Sequence, residues 1–305
     1  MKKAFTLVEM LIVIGIICLL AGVLLTVTGG GTESARAAKC LSNIRSLAQA
    51  ANSAALEDSQ NNYPKAGSVA TMGGLDSLGY NEKAGWISWL SNHGHPFPSS
   101  SPEPPTVDEC RYDTDNLEDA RYALTNGVIW QAVNKSEAVY ICPTHLLNCR
   151  RAGVTPVWSY VMNGRFGYTD KNDPSAAERK CPYGGFRDDD DHLIPPDRVL
   201  MFAEMAVVKT GSAAEKDAIL QYKASVNGKN YNMNWSGEPE SIAFNHKSNR
   251  NRLCGHVAFA DGHCEKFLQS SGAGGLTPDQ LTALLCEGKD VSFNGKIYQE
   301  IREED

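Results

Sequence analysis

Four groups of residues in this chain could do chemistry. The first is a lone carboxylate: Glu9 lies in a run that is otherwise apolar from Phe5 to Val27, Thr6 and Thr26 apart. A charge inside a membrane-length segment costs ~2.5–3.5 kcal/mol to insert and is retained where it has a task. The second is a set of imidazoles near the C-terminus, Asn245-His246 followed by Gly255-His256-Val257-Ala258-Phe259-Ala260-Asp261-Gly262-His263. His246, His256, His263 and Asp261 are donor types that suit a transition metal. On an alternating strand His256 and His263 need not face the same way, so no metal is expected there. The third is Asp188-Asp189-Asp190-Asp191, whose hard oxygens suit calcium, with Asp188 and Asp190 as candidate ligands. Consecutive carboxylates converge poorly on one ion, however, and acidic runs are ordinarily solvated.

The fourth group is the nine cysteines. Cys18 lies in the apolar run, and the eight that follow it are an even number, as disulfides in an oxidising space require. Cys142 and Cys149 are the candidate local pair. A zinc set of Cys142, His145 and Cys149 is the competing reading, but its spacing matches no common finger. His93 and His95, either side of Gly94, have no evident third ligand and read as solvated loop residues.

These groups need elements to hold them. Phe5–Val27 gives roughly 34 Å of helix at ~1.5 Å per residue, enough for a bilayer core of ~30 Å. Lys2 and Lys3 precede it and favour a cytoplasmic N-terminus, with the body on the opposite side. The run is longer than the apolar region of a secretory signal peptide, and Thr28-Gly29-Gly30-Gly31 is only a fair cleavage site. From Thr32 to Asp58 there is neither proline nor glycine. Ala37, Leu41, Ile44, Ala48, Ala51 and Ala55 recur at helical spacing, which places Arg36, Lys39, Asn43, Arg45 and Gln49 largely on other faces. Gly29–Gly31 predicts a kink or unwound joint between the two helical halves.

Lys2-Lys3-Ala4 followed by Phe5-Thr6-Leu7-Val8-Glu9 resembles the start of type IV pilins and type II secretion pseudopilins. The resemblance implies that a prepilin peptidase cuts between Ala4 and Phe5 and methylates the new Phe5 amine. It implies that Glu9 then pairs with the N-terminal amine of a neighbouring subunit, which offsets the desolvation of both charges. Ala4 stands where the family usually has Gly. Cys40-Leu41-Ser42-Asn43-Ile44 also resembles a pilin-like group abundant in planctomycetes, as do Tyr140-Ile141-Cys142-Pro143, Ser159–Asn163, the strand ending at Glu204 and the His246…Asp261-Gly262 motif. In that group the His lies nine residues ahead of Asp-Gly; here fourteen residues separate His246 from Asp261, and a structural contact between His246 and the hairpin is expected.

In the body, Leu117–Leu124 and Gly127–Val133 read as helical, and Val139–Pro143, Val157–Asn163 and Arg198–Glu204 as strands. Asp261-Gly262 signals a two-residue hairpin turn that sets Phe259 beside Cys264 and Val257 beside Lys266. Residues 93–109 read as an exposed, proline-rich loop. The expected organisation is a leader at 1–4, a transmembrane helix at 5–28, an amphipathic helix at 32–60 and a globular α+β head at 61–305, the long helix lying on an antiparallel sheet.

The chain has 305 residues, 29 Lys+Arg against 36 Asp+Glu and a hydrophobic fraction of 42%. An acidic balance disfavours a nucleic-acid groove, which relies on Lys and Arg against phosphates. A single apolar run excludes a multi-span transporter. No nucleophile elbow, H-E-x-x-H or phosphate-cradling glycine loop is present, so catalysis is not expected. The sequence therefore reads as a prepilin-like structural subunit held in the inner membrane with its head outside the cytoplasm, whose partners are a prepilin peptidase and other pilin-like subunits. The alternative is a membrane-tethered enzyme or carbohydrate-binding module that does not polymerise. No cofactor is expected, calcium being the one candidate.

Overall fold

Alanine and leucine dominate the N-terminal fifth of the chain, and that stretch forms one helix. The computed structural model describes residues 7–58, 63–66, 85–88, 117–166, 186–187, 193–207, 218–220, 222–226, 228–233, 241–248, 252–269 and 276–289, with only the backbone described for 19–30, 118–119, 186–187 and 232–233. Helix α1, Leu7–Glu57, runs unbroken through Gly29–Gly31, so the expected unwound joint is absent. Each Gly costs ~1 kcal/mol against Ala, but unwinding would create two new helix ends, each with four unsatisfied backbone groups. Keeping the ladder intact costs less.

The outer part of α1 is bare. Leu7, Leu11, Ile14 and Ile17 are 78%, 63%, 58% and 58% exposed. Among the described residues no helix is long and apolar enough to cross a membrane. The part of the run whose side chains are described ends at Cys18, roughly 16.5 Å from Leu7 and short of a ~30 Å core.

The inner part of α1 is seated on the head. Cys40, Asn43, Ile44, Leu47, Ala48, Ala51 and Ala55 are buried. Four of the six expected positions, Ile44, Ala48, Ala51 and Ala55, lie on this stripe; Ala37 and Leu41 are only half-buried, and the stripe extends instead to Cys40, Asn43 and Leu47. Asn43 is tolerated there because its Nδ2 donates to the carbonyls of Ala138 (3.0 Å) and Ile141 (2.9 Å). Ile44 and Leu47, each fully buried, contribute roughly 1.5–3 kcal/mol apiece.

Behind α1 stands a six-stranded sheet built from β1 (Tyr160–Asn163), β4 (Leu200–Glu204), β5 (Ile219–Leu220), β8 (His246–Lys247), β9 (Leu253–Phe259) and β10 (Cys264–Leu268). The order is β10-β9-β4-β1-β5, with β8 also on β9. All pairs are antiparallel except β1 with β5, so the α+β architecture holds and the sheet is mixed rather than purely antiparallel. Two small ribbons, β2–β3 (Phe186–Arg187 with Leu193–Ile194) and β6–β7 (Tyr222–Val226 with Lys229–Met233), complete the strands. Helix α1 touches β4, β8, β9 and β10, while α4 (Pro278–Cys286) packs on β4 and the β6–β7 ribbon. Helix α4 begins at a capping box, Thr277 with Gln280.

Three local expectations are corrected. Helix α2 covers Leu117–Thr125 as expected, but 126–135 is a chain of turns rather than a helix. Gly127 there presses so close to the Trp86 carbonyl that an added Cβ would lie 2.0 Å from its oxygen. Residues 139–143 form no strand: a 3-10 turn at Glu137–Val139 leads into helix α3, Pro143–Arg151. Pro143 at the first helical position and Cys142 as N-cap, its sulfur accepting from the His145 N–H, start a helix and do not merely end a strand. The hairpin at Asp261-Gly262 exists, but its register is Ala258 with Cys264 and Val257 with Glu265. Its loop has three residues, with Gly262 alone at positive φ (+92°) and its N–H bonded to Phe259 O, a type I turn closed by a left-handed glycine.

Candidate functional site

Where α1 crosses the sheet, five side chains that bind protons or metals meet in the interior. Cys40 comes from α1, Glu204 from the last position of β4, His246 from β8, His256 from β9, and Cys142 from the cap of α3. Antiparallel pairing explains the convergence: β4 and β8 lie end to end along the edge of β9 opposite β10, β4 against Val257–Phe259 and β8 against Leu253–Cys254, which sets His256 beside the gap between Glu204 and His246. The segment carrying Asn245 and His246 approaches β9 at Gly255, where a Cβ would lie 2.0 Å from the Ala243 oxygen. Only glycine permits that approach.

Glu204 is the hub, and it is fully buried. Its Oε1 accepts from the His256 backbone N–H (2.8 Å) and the Cys40 thiol (3.2 Å), and lies 2.7 Å from His256 Nδ1 and 3.5 Å from His246 Nε2. Its Oε2 accepts from Asn245 Nδ2 at 2.9 Å. His246 Nε2 is also 3.3 Å from Cys142 Sγ, while its Nδ1 is 3.0 Å from Glu33 Oε1. Glu33 in turn accepts from the Thr144 hydroxyl at 2.9 Å. The Tyr160 hydroxyl donates to Cys40 Sγ at 3.4 Å.

Burial raises the pKa of any interior carboxyl, but the hydrogen bond and charge of His256, with His246 and Asn245, outweigh it and hold the Glu204 pKa below its ordinary value. Burial alone would depress His246; Cys142, Glu204 and Glu33 instead raise it to about 9. Burial would likewise raise Cys142, yet the Cys40 thiol and His246 bring it to about 7. Cys40 is pushed well up, by burial first and then by Cys142 and Glu204. The pocket thus holds one carboxylate, imidazoles and two thiols of unequal acidity.

One donor atom from each of Cys40, Glu204, His246 and His256 lies within 4.8 Å of all the others, and all four residues are buried. These residue types suit a borderline-soft cation such as zinc, not calcium.

The sequence candidates divide around this pocket. His246 and His256 belong to it, although no metal was expected of them. His263 and Asp261 do not: they pair with each other at the hairpin tip, 2.6 Å apart and about a third exposed. His246 does contact the hairpin, through β8 pairing with β9, and also reaches Glu204 and Glu33. No disulfide joins Cys142 to Cys149. About two helical turns separate them, near 10 Å of rise, beyond the ~7 Å that a disulfide spans between Cα atoms. The Cys142–His145–Cys149 zinc set does not assemble either: His145 Nε2 lies 3.3 Å from Cys149 Sγ and 3.0 Å from the Ala206 carbonyl, its Nδ1 faces the Ser159 hydroxyl (2.8 Å), and the donor atoms that converge among the described residues are those of Cys40, Glu204, His246 and His256. Ala4, Phe5, Asp188, Asp190, His93 and His95 lie outside the described residues.

The other candidate, Glu9, lies on the bare outer part of α1, in the first turn described. Residues 1–25 match the family described as the prokaryotic N-terminal methylation motif. The N-terminus is that of a type IV pilin-like prepilin. No curated protein and no solved structure matches the chain. The motif covers the outer end of α1, and the pocket lies at the other end, where the same helix enters the head. Such a motif is that of membrane-anchored or pilus-associated proteins.

Sequence reasoning missed Cys40 and Glu204 as partners of the histidines. A signal existed: Cys40, Cys142, Tyr160, the strand ending at Glu204 and Asn245-His246 stand out in the sequence, and they meet here.

Proposed function

We propose that the protein is a single-pass inner-membrane subunit that a prepilin peptidase cuts between Ala4 and Phe5, that is methylated on Phe5, and that assembles through its N-terminal helix into a pilus or pseudopilus. The observation that carries this reading is the methylation motif at 1–25 running directly into a 51-residue helix. Large apolar side chains on consecutive turns of its outer end are exposed. A helix apolar on every side finds a partner in lipid or in other helices, not in water. Glu9, the fifth residue after cleavage, sets the register by pairing with the Phe5 amine of the next subunit. The head is the displayed part and has a structural role without catalysis.

N-terminal sequencing of protein from its native membrane tests processing: methylated Phe5 is the expected first residue, and material beginning at Met1 overturns the reading. Glu9→Ala tests assembly. Loss of the fibre, or of secretion, with a stably anchored monomer is expected; an unchanged multimer and phenotype would favour a tethered module.

A further inference from the structure

We propose that Cys40, Glu204, His246 and His256 form a binding site for one divalent transition-metal ion, zinc fitting best, which fastens the long helix to the head sheet. Three features of the pocket support this, independently of fibre assembly.

The first is spacing. Ligand atoms ~2.0–2.3 Å from a tetrahedral ion stand roughly 3.3–3.6 Å from one another. Cys40 Sγ to Glu204 Oε1 is 3.2 Å and His246 Nε2 to Glu204 Oε1 is 3.5 Å. The 2.7 Å contact of His256 Nδ1 with Glu204 is shorter, a hydrogen bond that coordination replaces. The second is charge. One thiolate, one carboxylate and two neutral imidazoles cancel a divalent ion, leaving no net charge in a pocket where an unpaired charge is costly. The third is the surrounding support. His246 turns Nδ1 to the Glu33 carboxylate at 3.0 Å and Nε2 inward, and Glu33 is itself held by Thr144. A carboxylate behind a metal-binding histidine fixes the ring and its tautomer. Asn245 does the same for the outer oxygen of Glu204.

A network made only of hydrogen bonds explains less. A carboxylate oxygen has about two lone-pair sites. Here Glu204 Oε1 is faced by the Cys40 thiol, the His256 N–H, His256 Nδ1 and His246 Nε2. On binding, the Cys40 proton and any imidazolium proton leave to solvent, and their places are taken by bonds to the ion. The four ligands come from α1, β4, β8 and β9, so the ion closes long stretches of chain and adds to folding stability directly.

The test uses the full chain in detergent, kept reduced, stripped with a chelator and then titrated with Zn²⁺ alone or Co²⁺ alone. One ion per chain, a thiolate-to-cobalt charge-transfer band, and a melting temperature raised by roughly 5–10 °C at a hundredfold excess over Kd are expected. Cys40→Ser removes the band, and His256→Gln weakens binding at least ~100-fold. Glu33→Gln, which leaves the four ligands in place, lowers affinity ~10–100-fold with unchanged far-ultraviolet circular dichroism. His263→Gln at the hairpin tip changes nothing. The proposal is overturned if the wild-type chain retains no ion at micromolar zinc, if the band survives in Cys40→Ser, or if protein from native membrane carries a Cys40–Cys142 disulfide.

Discussion

Between Leu7 and Ile17 the apolar side chains of α1 are exposed on successive positions round the helix, whereas between Cys40 and Ala55 they form one buried stripe. The backbone is the same; the surroundings differ. The outer part has no polar face to turn to water, and this is the pattern of a segment made for lipid or for packing among other helices. The inner part has a polar face outside and, on its buried face, Cys40 and Asn43. Both are tolerated because the head supplies partners: Glu204 for the thiol, two carbonyls for the amide. Polar residues on the two parts of one rod thus answer to different hosts, Glu9 to another subunit in the reading offered above, Cys40 and Asn43 to the chain itself.

The largest effect that would sharpen this contrast is at the hub. Glu204→Ala removes the buried carboxylate that His246 and His256 share, leaving His246 with Glu33 alone, and should cost the head ~3–5 kcal/mol in urea unfolding. A loss under 1 kcal/mol would mean that the pocket holds nothing together. Next is the helix seat: Leu47→Ala should cost ~2–5 kcal/mol, against at most ~0.5 kcal/mol for Leu11→Ala, read as the head's unfolding midpoint. Equal costs would erase the distinction between the two parts of α1. Gly255→Ala drives a methyl group into the Ala243 carbonyl and should destabilise by ~1–3 kcal/mol, moving the His246 segment off β9. Amide exchange at β8 reads this directly. The smallest effect is at the hairpin tip, where His263→Ala removes a partly exposed contact with Asp261 and should cost less than ~1 kcal/mol.

Much of the helix was legible in the sequence because its signal is local. The absence of proline and glycine from Thr32 to Asp58 and the three-and-four spacing of Ile44, Ala48, Ala51 and Ala55 depend on neighbours one turn away. The stripe's exact facing was not, because Asn43 reads as an outward residue until the Ala138 and Ile141 carbonyls are placed above it. Val139–Pro143 looked like a strand because tyrosine, isoleucine and valine favour pleated surfaces; proline at a helix start and a cysteine cap decided otherwise. The hairpin was legible from Asp261-Gly262, but its loop length was not, and one added residue shifted the whole register. The pocket was the least legible feature. Cys40 and Glu204 are 164 positions apart, and only sheet order brings them within 3.2 Å.

The seating of α1 across several strands also decides how the head would bear a load. Tension drawn along the rod reaches the body nearly parallel to the buried stripe, so the contacts from Cys40 to Ala55 are strained side by side in shear rather than peeled open in turn. The hydrogen bonds of Cys40 and Asn43 sit at the end nearest the pull. That end is where slippage would begin, and it is where the polar anchors are placed.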